Sequence, residues 1–431
     1  MSRDAFRFVH ATSLRLDEPL SGTGMLSPDD RALAEDATFY AFEQIVETTI
    51  GAQADFLLLT GNCFHSRTQS LRARVALEKG FERLAAHQVA VYISPGSQDP
   101  ASSWRTLIHL PPNVTLLSDE EQEPVAVMRD GRVLAAVYIV ASPHSDETKW
   151  SASGPTVMQR HQAPFRIGIV PAGTPLAWKD GRPVAINNLG LSRAAVTLVE
   201  TAIADQTEYL ALGEGLPRTE YYPGGLAHDP GCSQSLDGTV SGSRGCTVVN
   251  VPVHGSVTMD SVAVAPVRWE TISLVVEPSH NWDDLVERMA LAVMERVADN
   301  DERLWILNWR ISGQGPIFDS LPDRNSQHEL WELVEAELEG ETDVRRSHRL
   351  ISVENYGPVD SNRSAPTGLL RQFLEILDGL DGKDFDHVRQ LMHKHPAFER
   401  MDWRQAKDLL DRTGFTGVER QTRELAARWL D

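Results

Sequence analysis

Five short runs in this chain gather the side chains that could do chemistry. They are His10-Ala11-Thr12-Ser13-Leu14-Arg15, Gly61-Asn62-Cys63-Phe64-His65-Ser66, Gly96-Ser97-Gln98-Asp99, Val170-Pro171-Ala172-Gly173 and Gly213-Glu214-Gly215-Leu216-Pro217-Arg218. Hydroxyls and carboxamides are weak neutral donors, and Arg15 is a permanent cation. His10 and His65 without a carboxylate partner make a poor hydrolytic metal site. A nucleophilic Cys63 would need a base and an oxyanion site, so buried filler is the expectation there. Other signals are weaker. Gly231-Cys232-Ser233-Gln234-Ser235 lacks the second glycine of a nucleophile elbow. Gly313-Gln314-Gly315 lacks the rest of a dinucleotide fingerprint and is expected to be a turn. His393-Lys394-His395 is expected to be a solvated helix end.

Such runs matter only where elements converge on them. Phe6 to Ala11 is a short apolar run. Ser27-Pro28-Asp29-Asp30 starts a helix, with a serine cap, proline at the first position and acids in the first turn. Asp55 to Thr60 and Val89 to Ser94 are continuous apolar runs, as buried strands are. Between them Ala73, Leu77, Phe81 and Leu84 repeat at helical spacing. Further strands are expected at Arg132 to Val140, Phe165 to Val170 and Tyr209 to Leu212. Pro223 to Gly245 is expected to be loop and turn, followed by paired strands around His254-Gly255. The order β-α-β-α-β implies a layered α/β domain, with its chemistry at the carboxyl ends of the strands, where the five runs lie.

The character changes near Val267. Trp269 to Val276, Arg303 to Ile311 and Arg349 to Val353 alternate with a helix capped by Asn281. A second helix is expected to start at a capping box of Ser326 and Glu329. The expected division is residues 1–266, a layered α/β sandwich; 267–359, a small α+β capping domain; and, after a polar linker from Asp360 to Gly368, a helical C-terminal tail over 369–431.

In wording and order these runs resemble the calcineurin-like metallophosphoesterases, and within them the SbcD-type repair exonuclease subunits. The family's H-T-A-D-x-H-L is similar to His10 through Leu16, and its D-S-P-L-x-G to Asp17-Glu18-Pro19-Leu20-Ser21-Gly22. Its D-F-x-L-x-x-G-D-L-F-D-S is similar to Asp55 through Ser66, its P-G-N-H-D to Pro95 through Asp99, and its A-L-G-H-I-H to Ala211 through Leu216. The resemblance implies a metallophosphoesterase-like sandwich, a cap, and phosphodiester hydrolysis by two manganese ions. Position by position, however, Ser13, Arg15, Asn62, Ser97, Gln98, Pro171, Glu214 and Leu216 stand where metal ligands and the catalytic histidine are expected. His10, His65 and Asp99 are the residual candidates, and Arg15 with Glu214 is expected to form an ion pair there. A dimetal cluster carries about four positive charges and needs anionic or imidazole ligands. The sequence therefore implies a non-catalytic homologue that binds no metal and acts as a binding or scaffold subunit. The alternative is an active metal-dependent exonuclease or phosphoesterase with an atypical site.

The resemblance also implies partners: an SMC-type ATPase engaged by the tail through Leu370, Phe373, Leu374 and Leu377, and a second copy of the chain. Lys and Arg total 41 and Asp and Glu 61, a net charge of −20. Residues 267–431 carry 32 acids and 21 bases, so the acidity is not confined to either half. That balance argues against phosphate-backbone binding as the main affinity for DNA and against a membrane surface. Arg67, Arg72 and Arg74, and Arg345, Arg346, His348 and Arg349, are two small basic clusters, expected to be ordinary surface. The second lies near the acidic helix of Glu329 to Glu339, which can neutralise it. Three unpaired cysteines and the lack of an apolar leader or a long apolar span suggest a cytoplasmic protein.

Overall fold

The computed structural model describes residues 4–117, 124–140, 163–171, 176–179, 182–185, 206–213, 215–296, 298–299, 301–340 and 344–355, with scattered helical residues at 196–203, 373–377 and 422. Met1–Tyr356 forms one compact unit and Gly357–Asp431 a second.

The first unit is built on two six-stranded sheets. One has the order β14-β13-β1-β2-β3-β4, from β1 (Phe6–Thr12), β2 (Phe56–Thr60), β3 (Ala90–Ser94), β4 (Val114–Leu116), β13 (Gly245–Val251) and β14 (Thr258–Ala263). The other has the order β11-β12-β10-β7-β6-β5. Its strands are β5 (Val125–Arg129), β6 (Arg132–Ile139), β7 (Arg166–Ile169), β10 (Tyr209–Ala211), β11 (Arg218–Tyr222) and β12 (Gly225–Asp229). Between β7 and β10 lies the hairpin β8 (Leu176–Lys179) and β9 (Arg182–Ala185).

The period of two decides what each face carries. Phe6 and Phe8 of β1, Phe56 and Leu58 of β2, and Val249 and Val251 of β13 pack on Ile167, Ile169, Tyr209 and Leu226 of the facing sheet. The Phe8 and Phe56 rings stack at 4.8 Å, and Tyr209 meets Phe8 edge-on at 5.2 Å. Burying each such ring contributes about 2–3 kcal/mol. The alternate residues, Val9, Ala11, Leu57 and Leu59, pack on helices α1 (Pro28–Gly51) and α2 (Leu71–Ala86). Helix α1 starts as its sequence implies: the Ser27 hydroxyl accepts from the Asp30 N–H.

The remaining elements are β15 (Val267–Val276), β16 (Leu304–Gly313) and β17 (Arg345–Asn355), a wholly parallel three-stranded sheet. Helices α4 (Trp282–Met294), α5 (Ile317–Ser320) and α6 (Arg324–Glu337) cover it, and α3 (Ala101–Leu107) follows β3. Asn281 and Asp284 form a reciprocal capping box on α4.

Two local expectations change. The cap of α6 is Asp323, whose carboxylate accepts from the Ser326 N–H at 2.9 Å, so the helix begins before Ser326. A carboxylate at this end also favours the helix dipole, and its bonds to Ser326 hold Asp323 below its ordinary range. The Pro223–Gly245 segment is not all loop. Gly224, at φ 92°, turns a hairpin that makes Gly225–Asp229 the strand β12. Its small residues hid it, yet β12 carries His228 and Asp229 into the interior.

Candidate functional site

The carboxyl ends of β1, β2, β3 and β10, with the segment after β12, meet at one end of the sandwich. Their backbones are locked together. Ser13 N–H donates to Gly61 O at 3.1 Å, Arg15 N–H to Asn62 O at 3.0 Å and Leu16 N–H to Cys63 O at 2.9 Å. Ser13, Arg15 and Asp17 alternate in the left-handed region (φ 50°, 48° and 79°), and Asn62 joins them at 47°. Four non-glycine residues held this way mark a segment over-determined by its surroundings.

Asp99 organises the β2 and β3 ends. It is fully buried, and its Oδ1 accepts from the Asn62 N–H at 3.0 Å and the Gly96 N–H at 2.7 Å. Oδ2 accepts from the Cys63 N–H at 2.8 Å and the Trp104 indole at 3.1 Å. Burial pushes its carboxyl up to about 6, against the pull of these four donors. The Asn62 side chain faces back, accepting from the Gln98 N–H at 3.1 Å. A Cβ on Gly96 would sit 2.5 Å from Asn62 Oδ1 and 2.9 Å from its Cγ, too close for any side chain. Gly96→Ala is expected to lower stability by about 2 kcal/mol or more in a urea unfolding curve; an unchanged midpoint would show that the two loops separate freely.

His10 and His228 are both buried, 6.1 Å apart between ring centroids, in the layer between the sheets. The Thr60 hydroxyl donates its single proton to Leu212 O at 3.0 Å, so it must accept from His10 Nε2, 2.9 Å away. His10 Nδ1 then accepts the Tyr209 hydroxyl proton at 2.9 Å. His228 bonds the hydroxyls of Thr219 and Thr247, both at 2.8 Å. Burial, and the repulsion that His10 and His228 would exert on each other if both were protonated, hold His10 well below its ordinary value, and burial lowers His228 to about 4. Both are neutral bolts between the sheets, with every ring nitrogen already engaged.

The other expected site residues are placed as follows. Ser13 is buried, Ser97 exposed, Gln98 and Pro171 half-buried and Leu216 exposed. Glu214 lies outside the described residues, so the structure does not describe its pairing with Arg15. Arg15 is held by Glu18, through Nε to Oε1 at 3.1 Å and through Nη2 to Oε2. His65 donates its backbone N–H to Asp17 at 3.3 Å, and its Nδ1 accepts from the Arg67 N–H at 3.2 Å. Cys63 and Cys246 are buried thiols pushed upward by burial, as fillers are. The acidic helix takes half of the second basic cluster, as its position implied: Glu335 meets Arg346 at 2.9 Å and His348 at 2.7 Å, whereas Arg345 meets Asp30 of α1 at 2.8 Å and Arg349 donates to the Gly22 carbonyl.

This donor set does not fit a dimetal cluster. At the described positions it offers hydroxyls, the Asn62 carboxamide already in use, the Gln98 carboxamide with its buried oxygen unpaired, a guanidinium and two non-ligating side chains. Among the described residues, no three His, Cys, Asp or Glu side chains converge to hold an ion.

A curated relative, the "Uncharacterized metallophosphoesterase YhaO" of Bacillus subtilis, is 24% identical over 400 residues, covering 91% of each chain. The chain is thus similar to a metallophosphoesterase over nearly its whole length. No family model matches the chain. Among solved structures, TT1561 of Thermus thermophilus aligns with TM-score 0.34 and 11% identity, over 60% of this chain and 99% of its own. A dimetal phosphatase from Danio rerio aligns with TM-score 0.34 and 6% identity, over 60% and 98%.

Sequence reasoning passed over Glu18, Arg244, His228 and Asp229. The i, i+3 spacing of Arg15 and Glu18 was a usable signal. The other three sit where a Gly- and Pro-rich segment suggested only loop. Asp229 ties that segment down, accepting from the Gly215 N–H at 3.1 Å and the Gly231 N–H at 2.8 Å.

Proposed function

We propose that this metallophosphoesterase relative is non-catalytic: a homologue of the repair exonuclease subunits that binds no metal pair and serves as a binding or scaffold subunit. One observation supports the reading above others, the Arg15–Glu18 ion pair beside Ser13 and Asn62 at the strand ends. The pair spends the Glu18 carboxylate on Arg15, and the neutral oxygens of Ser13 and Asn62 beside it supply no anionic or imidazole ligand for the divalent ions that phosphodiester hydrolysis requires. The proposal extends to an SMC-type ATPase partner engaged by the tail, to a homodimer, to weak or absent DNA binding, and to a cytoplasmic location. Leu370 and Leu374 lie outside the described residues, whereas Phe373 and Leu377 are helical. Among the described residues no helix is long and apolar enough to cross a membrane.

The test uses the full chain, stripped with EDTA and dialysed against manganese. The expected result is well below about 0.1 ion per chain and no manganese-dependent cleavage of a phosphodiester or duplex end. Stoichiometric manganese with metal-dependent cleavage would overturn the proposal in favour of the active exonuclease. Co-purification of a coiled-coil ATPase with the full chain, lost on removing residues 369–431, tests the partner.

A further inference from the structure

A wholly parallel sheet is found almost only where both of its faces are covered. The sheet β15-β16-β17 has helices on one face alone, where Ile272, Trp305, Leu307, Trp309 and Ile311 pack with side chains of α4, α5 and α6. The opposite face is covered only at its start. There Val267, Trp269, Leu304 and Ile306 pack on Ala37 of α1. One row on, Asn308 is 3% exposed beneath Gly238, where an added Cβ would sit 2.4 Å from its Nδ2. Beyond Asn308 this cover ends. Ser273 and Arg310 are exposed, Ser312 is half-buried and Val275 is 59% exposed.

The register sets two arginines on this open face in neighbouring rows. Alternate residues of a strand share a face, and matched residues of a parallel pair share it too. Asn308 is matched with Arg349 of β17, and Arg310 with Ser273 on one side and Ser352 on the other. Among the described residues Arg310 makes no hydrogen bond or ion pair. Arg349 donates to the Gly22 carbonyl, a neutral acceptor. Burial, with no carboxylate beside it to offset the cost, holds Arg349 below its ordinary range. Arg345, two rows nearer the sandwich, is already paired with Asp30. Glu354 lies one row beyond Arg310, matched with Ser312.

We propose that this open face docks an acidic, extended segment of a partner protein, with carboxylates on Arg310 and Arg349 and an apolar side chain against Val275. Charge complementarity selects the occupant. A second copy would bring both pairs of arginines together against one Glu354 from each chain, a net repulsion. Nucleic acid would match the arginines, yet two cations give little backbone affinity on a chain of net charge −20. Guanidinium–carboxylate pairs are charge-assisted and directional, so they fix where such a segment lies. No strand-end residue of the sandwich takes part, and the docking surface stands apart from the question of metal binding.

The test is fluorescence anisotropy of a labelled peptide, about eight residues of alternating Glu and Val with blocked ends, titrated with the full chain at low salt. A Kd on the order of 100 μM is expected, about tenfold weaker when every Glu of the peptide is Gln or when the protein carries Arg310→Glu. Arg349→Gln should weaken binding by about as much. Because Arg310 is exposed, Arg310→Glu should leave the urea midpoint unchanged. Arg67→Glu, at an exposed arginine elsewhere, makes the same change in net charge and should leave peptide binding intact. Equal affinity for the two peptides, full affinity in Arg310→Glu, or no binding at all would overturn the proposal. So would oligothymidylate binding more tightly than the peptide and lost in Arg310→Glu, which would give the face to nucleic acid. Dimerisation of the parent chain abolished by Arg310→Glu would give it to a second copy instead.

Discussion

Replacing Asp99 with Ala is expected to destabilise the protein by about 4 kcal/mol, the largest effect of any single change at the strand ends. Three backbone N–H groups and the Trp104 indole converge on this one carboxylate. Its loss leaves all four donors buried and unpaired. Asp99→Asn is expected to cost about half as much. Both variants remove the buried charge and its cost equally, but the Asn amide oxygen keeps two of the four donors paired while its amino group opposes the other two. Urea unfolding of the three proteins checks this. Equal stability for Asp99→Ala and the parent would mean that the loops after β2 and β3 are not joined through Asp99.

Acid should weaken the sandwich through the two interior histidines. The sign follows from proton uptake. Their values in the fold lie below the ordinary 6.5, so as pH falls through 6.5 the unfolded chain takes up protons that the fold refuses. Stability present above pH 6.5 is therefore lost on the way down to about 4, where His228 titrates in the fold. For His228 this amounts to on the order of 3 kcal/mol. Asp99 acts in the opposite sense between 3.8 and about 6, where the fold is protonated and the unfolded chain is not. The two effects separate by mutation. His228→Asn should flatten the decline of stability between pH 6.5 and 4, whatever it does to stability at neutral pH. An unchanged slope in chemical unfolding at stepped pH values would show that His228 protonates freely in the fold. The physical cause is placement. His10 from one sheet and His228 from the other have hydroxyl partners from the facing layer, Tyr209 and Thr247, and none of those partners can compensate an imidazolium charge.

Much of the fold was legible in local pattern. The Ser27-Pro28 start of α1, the buried stripe Ala73, Leu77, Phe81 and Leu84 on α2, and the apolar runs of β2 and β3 all stand where periodicity set them. Each is written in consecutive residues, and burial on one or both faces enforces it. The missed strand, β12, shows the limit. Gly225 has no side chain because the strand lies against the Thr207 and Glu208 backbone oxygens, where a Cβ on Gly225 would come within 2.7 Å of Glu208 O. Close approach of chain segments distant in sequence leaves a composition that also describes a loop.

The sequence alone determined which chemical groups stand at the strand ends, and so that Ser13, Arg15 and Asn62 occupy positions where ligands were expected. It could not determine which of those groups remain free to act. That depended on partners brought from 37 to 199 residues away: Asp99 on the Asn62 backbone and Tyr209 on His10. Only the tertiary structure spends His10 on the bond between the sheets, engages Asn62 with Gln98, and leaves Arg244 with a buried donor in need of a partner. Residue identity is local, whereas the availability of a hydrogen-bonding group is settled by what the rest of the chain packs against it.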